Sequence, residues 1–155
     1  TKPPAWPQDA ETVHALMLTA CGAVFEKVLG LKVTGTRQIH SDYAKLPDWQ
    51  REDEDKEYLP DFFIRHEGRR LRFEYERTLK SDRRYKDYWN ELGAPMCSSR
   101  PHLLYLAATE NIKNRLLGIA NEDYYPGLYV CLADDFKNAL GRSVFANMSG
   151  KTLVF

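Results

Sequence analysis

Three acidic residues at the open end of a short two-stranded segment have the types and spacing that suit chemistry on phosphate esters. Asp61 begins one apolar stretch, and Glu74 and Glu76 end the next. If Glu67 and Gly68 form a two-residue turn, Asp61 lies directly opposite Glu74, and opposed residues share one face of a hairpin with Cβ atoms about 5 Å apart. Alternation along the strand places Glu76 on that same face. The pattern therefore predicts a cluster of three carboxylates.

Such a cluster suits a divalent cation. Like charges held together raise each other's pKa unless a cation lies among them, and ligands that are all oxygen suit Mg²⁺ or Mn²⁺. A bound ion of this kind polarises a phosphodiester and activates water. The alternative is a solvent-facing strand whose glutamates pair with Arg70, Arg72 and Arg77. The residues themselves leave both interpretations open.

Basic and aromatic residues follow the acidic ones. Lys80, four residues after Glu76, can stabilise a charged transition state, or it can be an ordinary exposed lysine at a helix start. We predict that DNA contacts come from side chains of this segment, with cations on the backbone and tyrosines stacked on bases: Arg77, Arg83, Arg84, Lys86, Tyr85 and Tyr88. Trp89 is expected to pack in the core.

Two residues of the first helix are additional candidates. His14 lies at the edge of the apolar stripe and Glu26 on the polar side. A boundary histidine with a satisfied hydrogen bond and a surface glutamate are the simpler interpretations, while a metal ligand or base is the functional one.

Charge is unevenly distributed although the formal net charge is zero. Residues 42–57 carry seven acidic and three basic side chains, a net −4, whereas residues 65–86 carry nine basic and four acidic ones, a net +5. A basic segment around carboxylates can hold a phosphate backbone, although a balanced solvated surface has the same composition. The three cysteines are widely spaced and predict neither disulfides nor a zinc site, so a cytoplasmic location is expected.

The elements that position these residues follow from periodicity and capping signals. A long first helix over 9–29 has an apolar stripe, Asp9 as N-cap and Gly30 as its stop. The remaining predictions are one or two strands over 31–39, an acidic loop with one short helix over 41–58, a hairpin of 61–66 with 69–76, a helix over 80–92, a strand over 102–107, a helix capped by Thr109, a strand over 127–133, a short helix over 134–140 and a terminal hairpin over 144–155. We thus expect one α/β domain with a mixed central sheet flanked by helices and no membrane span.

The Pro60-Asp61 step and the later Glu74-Tyr75-Glu76 resemble the PD-(D/E)xK pattern of restriction-endonuclease-like nucleases. The resemblance implies an αβββαβ core, which agrees with the predicted element order. Glu76 departs from it, because the pattern has lysine there, and Lys80 is a candidate for a migrated replacement. The stretch from Phe73 to Ser81 is similar to a segment of the replication-relaxation proteins, which are related to MobC-type plasmid mobilization relaxases.

This resemblance covers roughly residues 6–120 and implies a nuclease-type domain over 1–155 without the winged-helix part that often precedes it. The implied activity is Mg²⁺- or Mn²⁺-dependent nicking of DNA at a transfer origin or in a single-stranded or nicked form, with relaxosome proteins as partners. Asp61, Glu74, Glu76 and Lys80 would form the site. A non-catalytic relaxosome module, a restriction or repair nuclease, and a covalent mechanism through Tyr85 or Tyr88 remain alternatives.

Overall fold

The computed structural model describes residues 9–53, 59–95, 97, 99–140, 142 and 144–155, and within these it is an α/β protein with a seven-stranded mixed sheet flanked by helices. The strands are ordered along the sheet as in the chain: β1 Lys32–Gly35, β2 Phe62–His66, β3 Arg69–Glu76, β4 Leu103–Ala107, β5 Leu128–Leu132, β6 Phe145–Ala146 and β7 Thr152–Leu153. The pairs β3–β4 and β4–β5 are parallel and all other neighbours are antiparallel.

The helices are α1 Ala10–Ala23, α2 Thr36–Ala44, α3 Asp48–Asp53, α4 Asp82–Glu91, α5 Glu110–Glu122 and α6 Ala133–Ala139. A π-helical turn, Val24–Val28, extends α1, so the predicted helix over 9–29 is confirmed, with the Asp9 carboxylate capping the backbone amide of Thr12. The predicted strand over 31–39 is wrong in its second half because α2 begins at Thr36. Residues 54–58 of the predicted acidic loop and residues 1–8 lie outside the described part of the chain.

The β2–β3 hairpin has the register that the two-residue turn predicts. Phe62 pairs with Phe73 and His66 pairs with Arg69. Glu67 and Gly68 have φ angles of 48° and 74°, the left-handed backbone that a tight hairpin turn of this twist requires. Away from the turn, one face of the hairpin is therefore apolar: Phe62, Ile64, Leu71, Phe73 and Tyr75.

Two apolar layers cover the two faces of the sheet. On one face, Phe25 and Phe136 pack against the apolar side of β2 and β3. On the other face, the helices α4 and α5 cover β3 to β5 through Trp89 and Leu116, both fully buried, with Tyr105 between them. The buried cluster beneath α4 and α5 includes residues of β4 and β5 and none of β1 or β2, so within the described part of the chain this face of β1 and β2 lacks apolar cover from these two helices. None of the described helices is long and apolar enough to cross a membrane.

Candidate active site beneath helix α4

Glu74 lies on the face of β3 that α4 covers, paired with Tyr105 of β4. Its carboxylate accepts a hydrogen bond of 2.7 Å from the Tyr88 hydroxyl of α4. Burial raises the pKa of Glu74 to about 8, and repulsion from the Asp61 carboxylate adds to this, while the Tyr88 hydrogen bond and the cations Arg72 and Lys80 lower it. Glu74 is thus a half-buried carboxyl that takes up a proton near neutral pH.

Asp61 lies just before β2, and its carboxylate is held at the end of the sheet. One oxygen accepts a 2.8 Å hydrogen bond from the backbone amide of Tyr75, and the other lies 3.2 Å from Nε2 of His14 on α1. Because the β2 ladder ends at Phe62, the Tyr75 amide needs another acceptor, and the Asp61 side chain provides it. The Asp61 carboxylate therefore lies at the edge of the sheet and not over the predicted polar face. It is nevertheless close enough to raise the pKa of Glu74.

Glu76 is buried, with 4% of its surface exposed, and it forms an ion pair with Lys80 at 2.5 Å. The ammonium of Lys80 also lies 5.7 Å from the centre of the Tyr85 ring. Glu76 thus holds Lys80. The prediction that all three carboxylates bind one ion is not supported by their positions, and the described residues include no group of three or more His, Cys, Asp or Glu side chains that could hold a metal ion.

A cavity of about 260 Å³ opens beside Glu74, and we call it the Glu74 cavity. Its wall combines two carboxyl groups, three cations and three phenol rings with two other side chains: Leu59, Glu74, Lys80, Ser81, Arg83, Arg84, Tyr85, Asp87, Tyr88 and Tyr105. Ser81 caps α4 by accepting a hydrogen bond from the Arg84 amide, so the first turn of the helix presents its side chains at the cavity rim. With three cations against two carboxyl groups, the lining suits an anionic ligand.

The predicted DNA-contacting cations have different surroundings. Arg83 is 91% exposed and lies 3.6 Å from Asp87, and Arg84 is also exposed. Lys86 pairs with Glu122 at 3.1 Å. The guanidinium of Arg77 donates to the carbonyl of Ala10, which fixes the start of α1 against β3. Arg83 and Arg84 are therefore the cations best placed to contact a ligand in the Glu74 cavity.

The two candidate tyrosines differ from their predicted roles. Tyr85 is 2% exposed and packs on Trp89 and Tyr105, so it cannot stack on a base. Tyr88 is half-buried with its hydroxyl bound to Glu74. Burial raises the pKa of both tyrosines well above the ordinary value, which disfavours either as a tyrosinate nucleophile. Trp89 is buried as predicted, and its indole donates to Tyr105.

The two additional candidates, His14 on α1 and Glu26 on the π-helical turn, have different surroundings. His14 contacts Asp61, and its ring lies 5.4 Å from the Tyr75 ring, so it is a boundary histidine that orients the aspartate. Glu26 is exposed on the π-helical turn, which agrees with a surface glutamate.

Sequence reasoning missed the contact of Tyr88 with Glu74 and that of His14 with Asp61. The only available signal was the placement of each residue on a helix that must pack on the hairpin.

No family model, no curated protein and no solved structure matched this chain. Its function must therefore be inferred from its own residues.

Proposed function

We propose that this chain is a Mg²⁺- or Mn²⁺-dependent endonuclease domain of the PD-(D/E)xK type that nicks DNA in plasmid or integrative-element mobilization. The observation that carries the proposal is the cavity beside Glu74, which is rimmed by Lys80, Arg83 and Arg84, with the Asp61 carboxylate close enough to raise the pKa of Glu74. The order α1, β1, β2, β3, α4, β4 supports an αβββαβ core with α2 and α3 inserted after β1.

In this proposal two carboxylates, Asp61 and Glu74, would hold a magnesium-type ion. Mg²⁺ commonly binds through one or two protein carboxylates, with water and substrate phosphate completing its shell. Repulsion between Asp61 and Glu74 contributes to the high pKa of Glu74, and a divalent cation would relieve that repulsion. When bound, the ion would supply Lewis acidity toward the phosphodiester and activate water. Asp61 and Glu74, without Glu76, are the proposed ligands.

The neighbouring residues position and stabilise the substrate. Glu76 holds the Lys80 ammonium at the cavity, where it offsets negative charge that develops on the scissile phosphate. Arg83 and Arg84 hold the adjoining phosphates. His14 and the Tyr75 amide keep the Asp61 carboxylate in one orientation. Lys80 thus takes the role of the lysine that the motif has at position 76.

The experiment is nicking of supercoiled plasmid with Mg²⁺ or Mn²⁺ by the wild type and by Asp61→Asn and Glu74→Gln. We expect both variants to lose at least ~10²-fold in rate, because each removes a charged ligand. Asp134→Asn, an exposed change on α6, is the matched control and should nick normally. Undiminished nicking by Glu74→Gln would overturn the assignment.

A non-catalytic DNA-binding module is the second candidate, and one observation favours it. Each of the three carboxylates already has a protein partner, and Glu74 with a pKa near 8 is largely neutral at pH 7. Calorimetry with Mn²⁺ separates the two functions. The nuclease should take up Mn²⁺ in a manner that Glu74→Gln abolishes, whereas the module should show no uptake that depends on this carboxyl group.

A further inference from the structure

A second and larger concavity of about 580 Å³ lies on the part of the sheet face that α4 and α5 leave uncovered. Its floor is formed by side chains of β1, β2 and the first half of β3. Its walls come from α2, through Ile39 and Tyr43, and from the end of α4, through Glu91 and Leu92. We call this concavity the basic groove, because its charged lining is dominated by Lys32, Arg65, Arg70 and Arg72, against Asp42 and Glu91.

The groove cations have few acidic partners of their own. Among the described residues, no ion pair reaches Lys32, Arg65 or Arg70. Asp42 lies 3.9 Å from Lys45 and accepts a hydrogen bond from Gln38. The register explains the clustering: Lys32 pairs with Arg65, which pairs with Arg70, so three neighbouring strands present a cation side by side on one face. Like charges at this spacing repel, and an anionic ligand would relieve the repulsion.

The floor also carries flat surfaces. The Arg70 guanidinium lies over the Phe63 ring at 4.2 Å from its centre, and Arg72 lies 5.4 Å from the same ring. Arg72 is in turn 5.9 Å from the ring of Tyr88, whose hydroxyl holds Glu74. Guanidinium and aromatic planes are the surfaces on which unpaired bases stack.

The basic groove and the Glu74 cavity adjoin. Leu59 lines both, and the contacts of Arg72 on β3 with Phe63 of β2 and Tyr88 of α4 run from one into the other. A ligand with regularly spaced negative charges could therefore occupy the groove and reach the cavity at the same time. The cleft between α2 and α4 suits one strand, because a duplex would present its paired bases away from the Phe63–Arg70 surface.

We propose that the basic groove binds a stretch of single-stranded nucleic acid whose backbone continues into the Glu74 cavity. The proposal rests on the proposed nuclease function for the meaning of that cavity, and it specifies the substrate as a strand that is unpaired beside the cleavage point. Lys32, Arg65 and Arg70 contact phosphates, and the Phe63–Arg70 surface supports a base.

The test is fluorescence anisotropy of a labelled oligothymidylate with the metal-free full chain in EDTA, so that cleavage cannot intervene. The double variant Arg65→Glu/Arg70→Glu should bind at least tenfold more weakly. Its log–log salt dependence should be shallower by about 0.7 for each lost phosphate contact. The matched control is Lys27→Glu/Lys137→Glu, which makes the same change in net charge at exposed positions on the π-helical turn and α6. If both double variants weaken binding equally, or if the wild type does not bind, the groove assignment is overturned.

Two further probes identify the ligand and separate this proposal from the nuclease function. An abasic strand of the same length should bind at least tenfold more weakly than oligothymidylate, because the stacked surface then has no base to support. Equal binding of the abasic strand or of polyphosphate would overturn the assignment to nucleic acid. If the wild type binds the strand but does not nick plasmid with Mg²⁺ or Mn²⁺, the nuclease function is contradicted and the groove assignment stands. If the wild type nicks with a KM that Arg65→Glu/Arg70→Glu leaves unchanged, the groove assignment is contradicted. Thermal melts of each variant check the fold.

Discussion

The Glu74 cavity and the basic groove lie on the same face of one sheet, but their charged groups are arranged differently. In the cavity, Glu74 binds the Tyr88 hydroxyl and Glu76 binds Lys80, so the charges are fixed by the protein under the cover of α4. In the groove, Lys32, Arg65 and Arg70 have no acidic partner among the described residues and no cover from α4 or α5. Fixed charges suit chemistry at one point, while unpaired cations suit attraction of a polyanion.

The largest expected effect separates these two regions by kinetics. Lys80→Ala should lower kcat for nicking by about 10²–10³-fold with little change in KM, because the lysine acts on charge that develops in the transition state. Arg65→Ala should mainly raise KM, since it removes binding shared by ground and transition states. Steady-state kinetics at several plasmid concentrations measures both, with Lys137→Ala as the surface control. A pure KM effect of Lys80→Ala would show that the two regions do not differ in role.

A second prediction concerns stability and the protonation of Glu74. Its pKa is raised from about 4.5 to about 8, so the folded protein binds more protons than the unfolded chain between these values. The free energy of unfolding should therefore fall as pH rises from about 4.5 to about 8, and Glu74→Gln should remove that loss. Over this range, the free energy of unfolding of the metal-free wild type should fall by on the order of a few kcal/mol relative to that of Glu74→Gln. Denaturant unfolding measures both. Parallel pH profiles would mean that burial does not raise the pKa of Glu74 in the folded protein.

A smaller effect tests whether Glu76 acts through Lys80. Glu76→Gln should reduce kcat roughly 10–100-fold, the usual cost of losing a group that orients a site residue. In a Lys80→Ala background the same change should cost little more, because the residues act as one unit. A double-mutant cycle on nicking rates measures this coupling, and full additivity would place Glu76 among the metal ligands after all.

The smallest effect is expected from Tyr88→Phe. The Tyr88 hydroxyl stabilises the charged form of Glu74, so its removal should raise the Glu74 pKa further and weaken Mn²⁺ uptake at pH 7 a few-fold. Calorimetric titrations at several pH values should show the midpoint of uptake moved to higher pH. Tyr43→Phe on the groove wall is the matched control, and an equal shift in that variant would contradict a specific contact with Glu74.

Local sequence patterns predicted much of the fold. The period of the apolar residues and the Asp9 cap located α1, and the turn at Glu67–Gly68 set the register of β2 and β3. One prediction failed in the segment after β1. The β-branched residues there suggested a strand, but α2 begins at Thr36 because its apolar Ile39 packs into the core. Tertiary packing overrode a weak intrinsic preference.

The sequence by itself determined which side chains stand on each face of the hairpin, because alternation along a strand is fixed by the backbone. It therefore placed Glu74 and Glu76 opposite the apolar face, together with Arg70 and Arg72. Only the tertiary structure decided what each carboxylate meets. Where the β2 ladder ends, the backbone amide of Tyr75 binds the Asp61 carboxylate at the edge of the sheet. The path of α4 brings Tyr88 to Glu74 and, among the described residues, leaves the cationic end of the same face without cover from that helix. These contacts join residues far apart in the chain, and the packing of helices on the sheet is what brings them together.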